Sequence, residues 1–337
     1  MPLTTYEIDN IRRLIQTYPV GTELAIAKVT GNELDYYGLR HSNSGIKSID
    51  NRTSIFEIGS ISKVLTCSVL AQMVESGIIG LEDSINKYLQ ATINNDTKIT
   101  FKELATHTSG LPRLPPGIFW KALFENKDNP YKDYLETDLL NYLEKKLKLN
   151  KKGNIHYSNL GSGLLGYSLT QIAGCSYADL IQKQLFEPLK MESSTVDYQN
   201  ASNKLVQGMD TKGRPTVNWD LGILQGAGGV LSCVEDMAKF IQANFDESNT
   251  AFSLQQKTMH KCGHQRISLG WYIFNEGITG EELHFHNGGT GGYRSSMIMN
   301  LNSKTGFIVL SNISGLYKLK SNKLDKLMFE LIKNALR

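Results

Sequence analysis

The segment from Ile61 to Ser76 is apolar nearly all round, and no charged residue occurs between Lys63 and Glu75. A helix with that pattern has no polar face for solvent, so other elements must surround it on every side. The chain has 337 residues, of which 40% are hydrophobic and 20% are charged, which is ordinary globular composition. We therefore predict a fold built around a central buried helix, either as roughly two domains or as one large body with an insertion.

Charge balance and cysteine spacing exclude several functional classes. Thirty-six Lys and Arg oppose 33 Asp and Glu, and a net charge of +3 is too small for a polyanion-binding surface, so nucleic acid is not an expected partner. No C-x-x-C pair is present, so buried free thiols are expected, with one disulfide left open. His260, Cys262 and His264 lack an adjacent acidic ligand, and the sequence predicts neither a metal site nor a cofactor.

Two sequence features bear on membrane insertion and secretion. No stretch approaches 18 uninterrupted apolar residues, so no membrane span is predicted. Residues 1–9 have neither the basic start nor the apolar core of a signal peptide. The chain as given is therefore expected to be cytoplasmic, or periplasmic or secreted if a leader was removed. A small-molecule substrate is the expected partner, and the oligomeric state stays open.

Hydrophobic periodicity separates a sheet-forming part from a helical part. The sheet-forming part comprises both chain ends, 1–80 and 211–337, with helices at 5–17 and 319–336. The middle, 81–210, is predicted to be a mostly helical insertion, and its proline-rich stretch at 112–130 is expected to frame a cleft. The predicted strands are Thr22–Val29, Glu33–Leu39, Leu269–Phe274, Leu283–His286, Ser296–Leu301 and Gly306–Ser311.

Ser60 and Lys63 form the first candidate chemical pair. If a helix begins at about Ser60, the two side chains face the same way. A lysine in the first turn opposes the helix dipole, and an apolar helix desolvates it; both effects lower its pKa. A neutral amine beside a hydroxyl is a general base beside a nucleophile. The alternative is that Ser60 caps the helix while Lys63 extends to solvent.

Tyr157 and Asn159 form the second candidate pair, just before an apolar helical run. A phenol can relay protons when cationic neighbours lower its pKa, and a nearby amide can hold a substrate carbonyl. Alternatively, Asn159 caps the helix and Tyr157 packs beside it. Gly161 to Gly166 fits G-x-G-x-x-G, but the polar residues before it form no strand, so a dinucleotide site is not indicated.

A glycine-rich segment, His286 to Arg294, is the third candidate. Four glycines in five residues permit close approach of a ligand, and their free N–H groups could bind an oxyanion. A glycine-rich turn between two strands is the alternative interpretation. No G-x-S-x-G elbow occurs, so an α/β-hydrolase fold is not indicated.

The three motifs S-x-S-K, Y-x-N and H-x-G, in this order, resemble those of penicillin-recognising serine hydrolases. This group comprises class C β-lactamases, D-alanyl-D-alanine carboxypeptidases, D-aminopeptidases and β-lactamase-like esterases. The similarity extends from about residue 22 to 315. Supporting segments are Phe56–Gly59, Gly77–Asp83, His107–Pro112, Gly226–Gly229 and Glu235–Ala238. The resemblance implies an α+β fold, with an antiparallel sheet flanked by helices, an all-helical inserted domain and the cleft between them.

The same resemblance implies roles for individual residues. Ser60 would be the acylated nucleophile, with Lys63 and Tyr157 as the proton-transfer pair. Asn159 would hold the amide carbonyl of the substrate, and the backbone N–H groups of Ser60 and Gly289 would form the oxyanion hole. His286 and Asn287 complete the predicted substrate-binding residues.

His286 marks a departure from class C β-lactamases, which carry Lys-Thr-Gly at the third motif. A neutral imidazole anchors a carboxylate less well than a lysine does, and Arg294 is a candidate replacement charge. The first hypothesis is therefore a serine hydrolase that acts on a small peptide, amide or ester through an acyl-enzyme. A working class C β-lactamase is the first alternative, and a penicillin-binding or sensor module without turnover is the second.

Overall fold

The computed structural model describes residues 2–89, 92–118, 129–275, 277, 280–316 and 318–337. Helices and antiparallel strands both occur within these residues, which confirms the predicted α+β class. The α-helices in chain order are α1 (Thr5–Ile15), α2 (Ser62–Glu75), α3 (Phe101–Ala105), α4 (Glu136–Asn141), α5 (Asn159–Ala173), α6 (Tyr177–Ile181), α7 (Tyr198–Ala201), α8 (Val234–Ala243), α9 (Thr250–Gln256) and α10 (Lys318–Ala335). The strands are β1 (Glu23–Thr30), β2 (Glu33–Ser42), β3 (Gly45–Ser48), β4 (Phe56–Glu57), β5 (Leu231–Ser232), β6 (His260–Cys262), β7 (Gln265–Ile267), β8 (Tyr272–Asn275), β9 (Glu282–Gly289), β10 (Arg294–Asn300) and β11 (Thr305–Ser311).

Strands from both chain ends share one antiparallel sheet, in the order β3-β2-β1-β11-β10-β9-β8-β7-β6. The N-terminal hairpin joins the C-terminal strands through β1 and β11, where Leu24 lies opposite Ser311. One predicted strand begins later than expected: β8 starts at Tyr272 rather than Leu269. The reason is a turn in which the Ser268 N–H donates to the Trp271 carbonyl, with Gly270 at a φ of +80°.

Helices cover both faces of this sheet. On one face, α1 and α10 enclose Leu24 of β1 and Phe307 of β11 in an apolar cluster. On the other face, α8 packs over Ala27 of β1 and Ile308 of β11, and the apolar residues of α2 belong to the same buried cluster. Because both faces are covered, β10 and β11 are buried along their whole length. Helix α2 is also enclosed, with every residue from Ser62 to Ala71 buried, as its apolar sequence predicts.

The described part of 81–210 supplies helices and loops and no strand of the large sheet. Helix α5 runs beside α2 and against a 3-10 segment, Gly222–Ala227. The buried apolar side chains around α2 continue from the sheet into this helical part without a break. The proposed domain limits at 80/81 and 210/211 stay predictions. Residues 119–128 of the proline-rich stretch lie outside the described residues.

Three features of the described residues bear on possible ligands. None of their helices is long and apolar enough to cross a membrane. They contain no group of three or more His, Cys, Asp or Glu arranged to hold a metal ion. All four cysteines are free thiols; Cys67 and Cys233 are buried as predicted, whereas Cys175 and Cys262 are only partly buried.

Candidate active site

Ser60 and Lys63 meet where α2 begins. Ser60 lies in a 3-10 turn, Gly59–Ile61, directly before the helix, and it does not cap the helix. Lys63 is only 2% exposed, and its Nζ lies 3.0 Å from Ser60 Oγ and 2.5 Å from the Ala227 carbonyl oxygen. The predicted pairing is therefore present. The alternative, a lysine extended to solvent, is wrong because α2 is enclosed on every side.

Burial determines the charge state of Lys63. Loss of hydration holds the pKa of Lys63 well below its usual value, and the nearby Arg113 lowers it further. A neutral amine keeps one lone pair, which can accept the Ser60 hydroxyl proton, while an N–H still donates to the Ala227 carbonyl. Lys63 is thus suited to act as a general base toward Ser60.

Tyr157 lies between the Lys63 amine and the Arg113 guanidinium. Its ring centroid is 4.8 Å from Lys63 Nζ and 5.3 Å from Arg113 Cζ. Cationic neighbours were predicted to lower the phenol pKa, but burial raises the pKa of Tyr157, against a smaller lowering by its hydrogen bond with Ser60. Desolvation outweighs the charge of Arg113. Tyr157 therefore holds its proton at neutral pH and is suited to donate it.

His107 holds the chain on both sides of Tyr157. Its carbonyl accepts a hydrogen bond from His156 N–H at 2.8 Å, and its Nδ1 accepts one from Ser158 N–H at 3.3 Å. The two rings lie 4.7 Å apart, and His107 adopts a φ of +58°. Burial keeps the pKa of His107 well below its usual value, so the ring is neutral and Nδ1 can accept. His107 is a positioning residue that the motif analysis did not single out.

Asn159 is the first residue of α5, and the cap is Ser158, whose Oγ accepts from Gly161 N–H at 2.8 Å. The alternative that Asn159 caps the helix is therefore wrong. Its Nδ2 donates to Tyr131 Oη at 2.8 Å, and its buried Oδ1 has no partner among the described residues. One N–H and one oxygen of this amide remain available to a substrate.

His286 and Asn287 point to opposite faces of β9, as neighbours on a strand do. His286 is buried between Tyr157 and Tyr272, at ring distances of 6.3 and 5.9 Å. Burial, together with Lys63, lowers the pKa of His286 to about 3, so the imidazole is uncharged. The Asn287 side chain instead donates to Asp325 of α10 at 2.8 Å. Asn287 nevertheless lines the cleft, so its predicted contact with the substrate stays a prediction.

Arg294 does not supply a free charge to the cleft. Its guanidinium forms an ion pair with Asp325 of α10, and the residue is 9% exposed. The carboxylate neutralises the charge that the sequence analysis considered as a replacement for the missing lysine. Asp325 lies far along the chain, so the spacing of the motif could not reveal this contact.

The backbone N–H of Gly289 faces the nucleophile. Thr290 N–H donates to the Tyr293 carbonyl. Hydrogen-bonded and non-hydrogen-bonded pairs alternate along an antiparallel hairpin, so the next pair, Gly289 and Arg294, is not hydrogen-bonded and its N–H groups point away from the facing strand. A Cβ on Gly59 would lie 2.7 Å from Gly289 N, and one on Gly288 would lie 2.9 Å from Ser60 N. Glycines at these positions therefore let the two backbone segments meet. The N–H groups of Ser60 and Gly289 are suited to bind one oxyanion.

These residues line a cleft of about 510 Å³, a size suited to a small molecule. The described parts of the proline-rich stretch form one wall, as predicted. No acidic residue occurs among the described lining residues. Apart from the motif residues, the lining includes Arg113, Leu114, Ile118, Pro130, Tyr131, Trp219, Tyr272 and Leu316.

A family model described as Beta-lactamase matches residues 11–326 of the chain. The chain belongs to the beta-lactamase family. Among relatives of this family member, the D-alanyl-D-alanine-carboxypeptidase/endopeptidase AmpH of Escherichia coli K12 is 27% identical, over 93% of this chain and 86% of AmpH.

Solved structures share the fold of this beta-lactamase family member. A beta-lactamase/D-alanine carboxypeptidase from Pseudomonas syringae superposes with a TM-score of 0.82 at 21% identity, covering 98% of each chain. A class C beta lactamase from Rhodobacter sphaeroides has a TM-score of 0.80 at 19% identity, covering 98% of this chain and all of that one. These likenesses concern the fold alone.

All seven predicted site residues of this beta-lactamase family member lie at or beside the cleft, and their roles stay predictions. Asn287 differs from the other six because its side chain bonds to Asp325 of α10. Sequence reasoning missed Arg113, which follows the His107–Pro112 segment directly, and the aromatic wall of Tyr131 and Trp219, whose rings lie 5.6 Å apart. Arg113 could have been noticed as a charge beside a familial segment, whereas Trp219 stands in no motif.

Proposed function

We propose that this member of the beta-lactamase family is a serine hydrolase that forms and hydrolyses an acyl-enzyme on Ser60. The observation that carries the proposal is the 3.0 Å contact between Lys63 Nζ and Ser60 Oγ, inside a site where the amine is buried. Few structural roles require a lysine to be desolvated beside a serine hydroxyl. A nucleophile and its base require that arrangement.

The first half-reaction forms an ester. Ser60 Oγ attacks the substrate carbonyl carbon as its proton moves to Lys63 Nζ, and the N–H groups of Ser60 and Gly289 hydrogen-bond the oxyanion. The bond to the leaving group then breaks, and Tyr157 donates a proton to the departing nitrogen or oxygen. Lys63 returns a proton to the phenolate, so that the resting protonation is restored.

The second half-reaction is hydrolysis of that ester. A water molecule attacks the acyl carbonyl and gives up one proton to the Lys63–Tyr157 pair, and the pair returns it to Ser60 Oγ as the acid departs. The two residues act as one proton-transfer unit, because they share the nucleophile. Asn159 orients the acyl group through its available amide N–H.

The proposed substrates are small peptides, amides or esters, as for a D-alanyl-D-alanine carboxypeptidase or an esterase. The uncharged His286 supports esters and amides that need no carboxylate anchor over β-lactams. Its Nδ1–H donates to the Asn287 carbonyl, so Nε2 carries no proton and cannot donate to a carboxylate as a lysine would. The AmpH relative carries a carboxypeptidase name. Nitrocefin turnover faster than that of simple esters would favour a class C β-lactamase instead, and acylation without turnover would favour a sensor module.

The direct test is Ser60→Ala. Its turnover of a p-nitrophenyl ester should fall at least about 10³-fold, with an unchanged melting temperature. Mass spectrometry after treatment with a fluorophosphonate should find one adduct, on Ser60, in the wild type. Ser44→Ala, in an exposed turn after β2, is the matched control and should keep full activity. An adduct on another residue, or activity retained by Ser60→Ala, refutes the assignment.

A further inference from the structure

Asp325 connects the C-terminal helix α10 to the end of the β9–β10 hairpin. Its Oδ2 accepts a hydrogen bond from Asn287 Nδ2 at 2.8 Å and another from Arg294 Nη2, which also forms the ion pair. Asn287 belongs to β9 and Arg294 to β10, so one carboxylate oxygen holds both strands. Gly289, whose N–H faces the nucleophile, lies two residues after Asn287 and directly opposite Arg294.

The two strands have no backbone hydrogen bond at this point. Gly289 and Arg294 form a non-hydrogen-bonded pair, which leaves the Gly289 N–H available to an oxyanion. A Cβ on Gly289 would lie 2.9 Å from Gly315 Cα and 3.5 Å from Arg294 Nη1, so both residues pack against this glycine. The ion pair therefore lies directly beside the residue that presents the donor.

Net stability does not explain why an ion pair occupies this place. The side chains of Arg294 and Asp325 are 10% and 17% exposed, and desolvating two charges costs about as much as their attraction returns. Asp325 is next to Leu324, which is part of the apolar cluster between α10 and the sheet, and apolar side chains could fill such a place. A carboxylate adds direction, because its oxygen accepts from donors on two different strands.

We propose that Asp325 is a positioning residue for the oxyanion hole: by holding Asn287 and Arg294 together, it keeps the Gly289 N–H aimed at the carbonyl oxygen of the substrate. The inference rests on the proposed hydrolase function, in which that N–H binds the oxyanion. Donors that are already in place need no rearrangement when the negative charge develops. A loosened hairpin end should therefore slow acylation more than it weakens substrate binding.

The kinetics of Asp325→Ala test the effect on the transition state. Its limiting acylation rate with a p-nitrophenyl ester should fall about 10- to 100-fold, while the ester concentration for half the limiting rate changes less than about threefold. The inhibition constant of phenylboronic acid, whose tetrahedral adduct on Ser60 places an oxygen in the hole, should rise by a similar factor. Glu330→Gln, an equal loss of charge at an exposed position of α10, should change none of these values. A loss confined to ester binding overturns the assignment.

The double variant Arg294→Met/Asp325→Leu separates positioning from a merely structural role. It removes the connection between the strands without leaving a buried charge, so it should be more stable to urea than Asp325→Ala. Its acylation should nevertheless stay as slow as that of Asp325→Ala. Recovery of the wild-type rate together with stability overturns the proposal, because Asp325 would then act only by stabilising the fold.

Amide hydrogen exchange in the resting protein tests the positioning without any turnover. The hairpin amides of residues 287–296, including the Thr290 N–H that donates to Tyr293, should exchange at least about tenfold faster in both variants. The amides of β1 and β2 should keep their wild-type protection. This result decides whether Asp325 orders the hairpin even if the wild type hydrolyses no ester, so the two proposals fail separately. Unaltered exchange at 287–296, or an equal rise across the whole sheet, overturns the inference.

Discussion

Burial holds four ionisable groups around Ser60 in their uncharged form. Loss of hydration lowers the pKa values of Lys63, His107 and His286 and raises the pKa of Tyr157. The amine thereby becomes an acceptor and the phenol keeps a proton to give. The chemistry of the site therefore depends on enclosure as much as on residue identity.

Lys63→Arg tests whether basicity or charge is what the site requires. A guanidinium remains protonated, so the acylation rate should fall about 10²- to 10⁴-fold and match that of Lys63→Ala. In the wild type, kcat/KM should decline as pH falls through the lowered pKa of Lys63, because only the neutral amine accepts the Ser60 proton. Stopped-flow acylation by a p-nitrophenyl ester measures both effects. Near-normal acylation by the arginine variant would contradict the base assignment.

Local sequence spacing revealed the contacts between residues close in the chain and missed most of the others. Ser60 and Lys63 are three residues apart at a helix start, so their contact follows from helix geometry. The contact of Arg113 with Tyr157 spans an irregular, proline-rich region, and no periodicity relates its two ends. The charge of Arg294 depended on Asp325 in α10, which no spacing rule connects with the third motif.

Helix α5 positions the general base through its glycines. A Cβ on Gly163 would lie 2.4 Å from Leu224 Cδ2, and one on Gly166 would lie 2.9 Å from Gly226 Cα. The missing side chains let the Gly222–Ala227 segment lie directly on the helix, and Ala227 at its end accepts the Lys63 hydrogen bond. The glycines of the G-x-G-x-x-G pattern therefore allow close packing against α5. The apolar residues around them in the sequence could have indicated this role.

Gly166→Ala tests this packing. The added methyl meets backbone atoms that cannot rotate away, so the variant should lose about 1–3 kcal/mol of unfolding free energy. Acylation of Ser60 should slow as well, because the Ala227 carbonyl moves with the segment. Gly80→Ala is the matched control: its methyl would meet Asp83 at an ordinary 3.4 Å, and its stability should stay within about 0.5 kcal/mol of wild type. Urea unfolding decides between these outcomes, and an unaltered Gly166→Ala would contradict the account.

Residues that are distant in the sequence come together to form the active site. The start of α2 supplies Ser60 and Lys63, the helical part supplies Tyr157, and the end of β9 supplies Gly289. The hydrogen bond from Lys63 to Ala227 alone joins residues 164 positions apart. Motif order was enough to identify these parts, but the enclosure that sets their pKa values exists only in the complete fold. The same enclosure connects catalysis with global stability.

Acid should therefore unfold the protein through its buried histidines. Burial lowers the pKa of His107 and of His284, and that of His286 to about 3, whereas unfolded histidine titrates near 6.5. Between these values the unfolded chain binds more protons than the folded one. The histidine contribution to stability is therefore complete above about pH 6.5 and falls toward pH 3, by about 1.4 kcal/mol per pH unit for each such histidine. In urea unfolding from pH 7 to 4.5, the dependence of the unfolding free energy on pH should be smaller in His286→Asn than in the wild type, because one buried histidine is missing. His264→Asn, in the exposed turn between β6 and β7, should keep the wild-type slope, and a common slope in all three proteins would refute the argument.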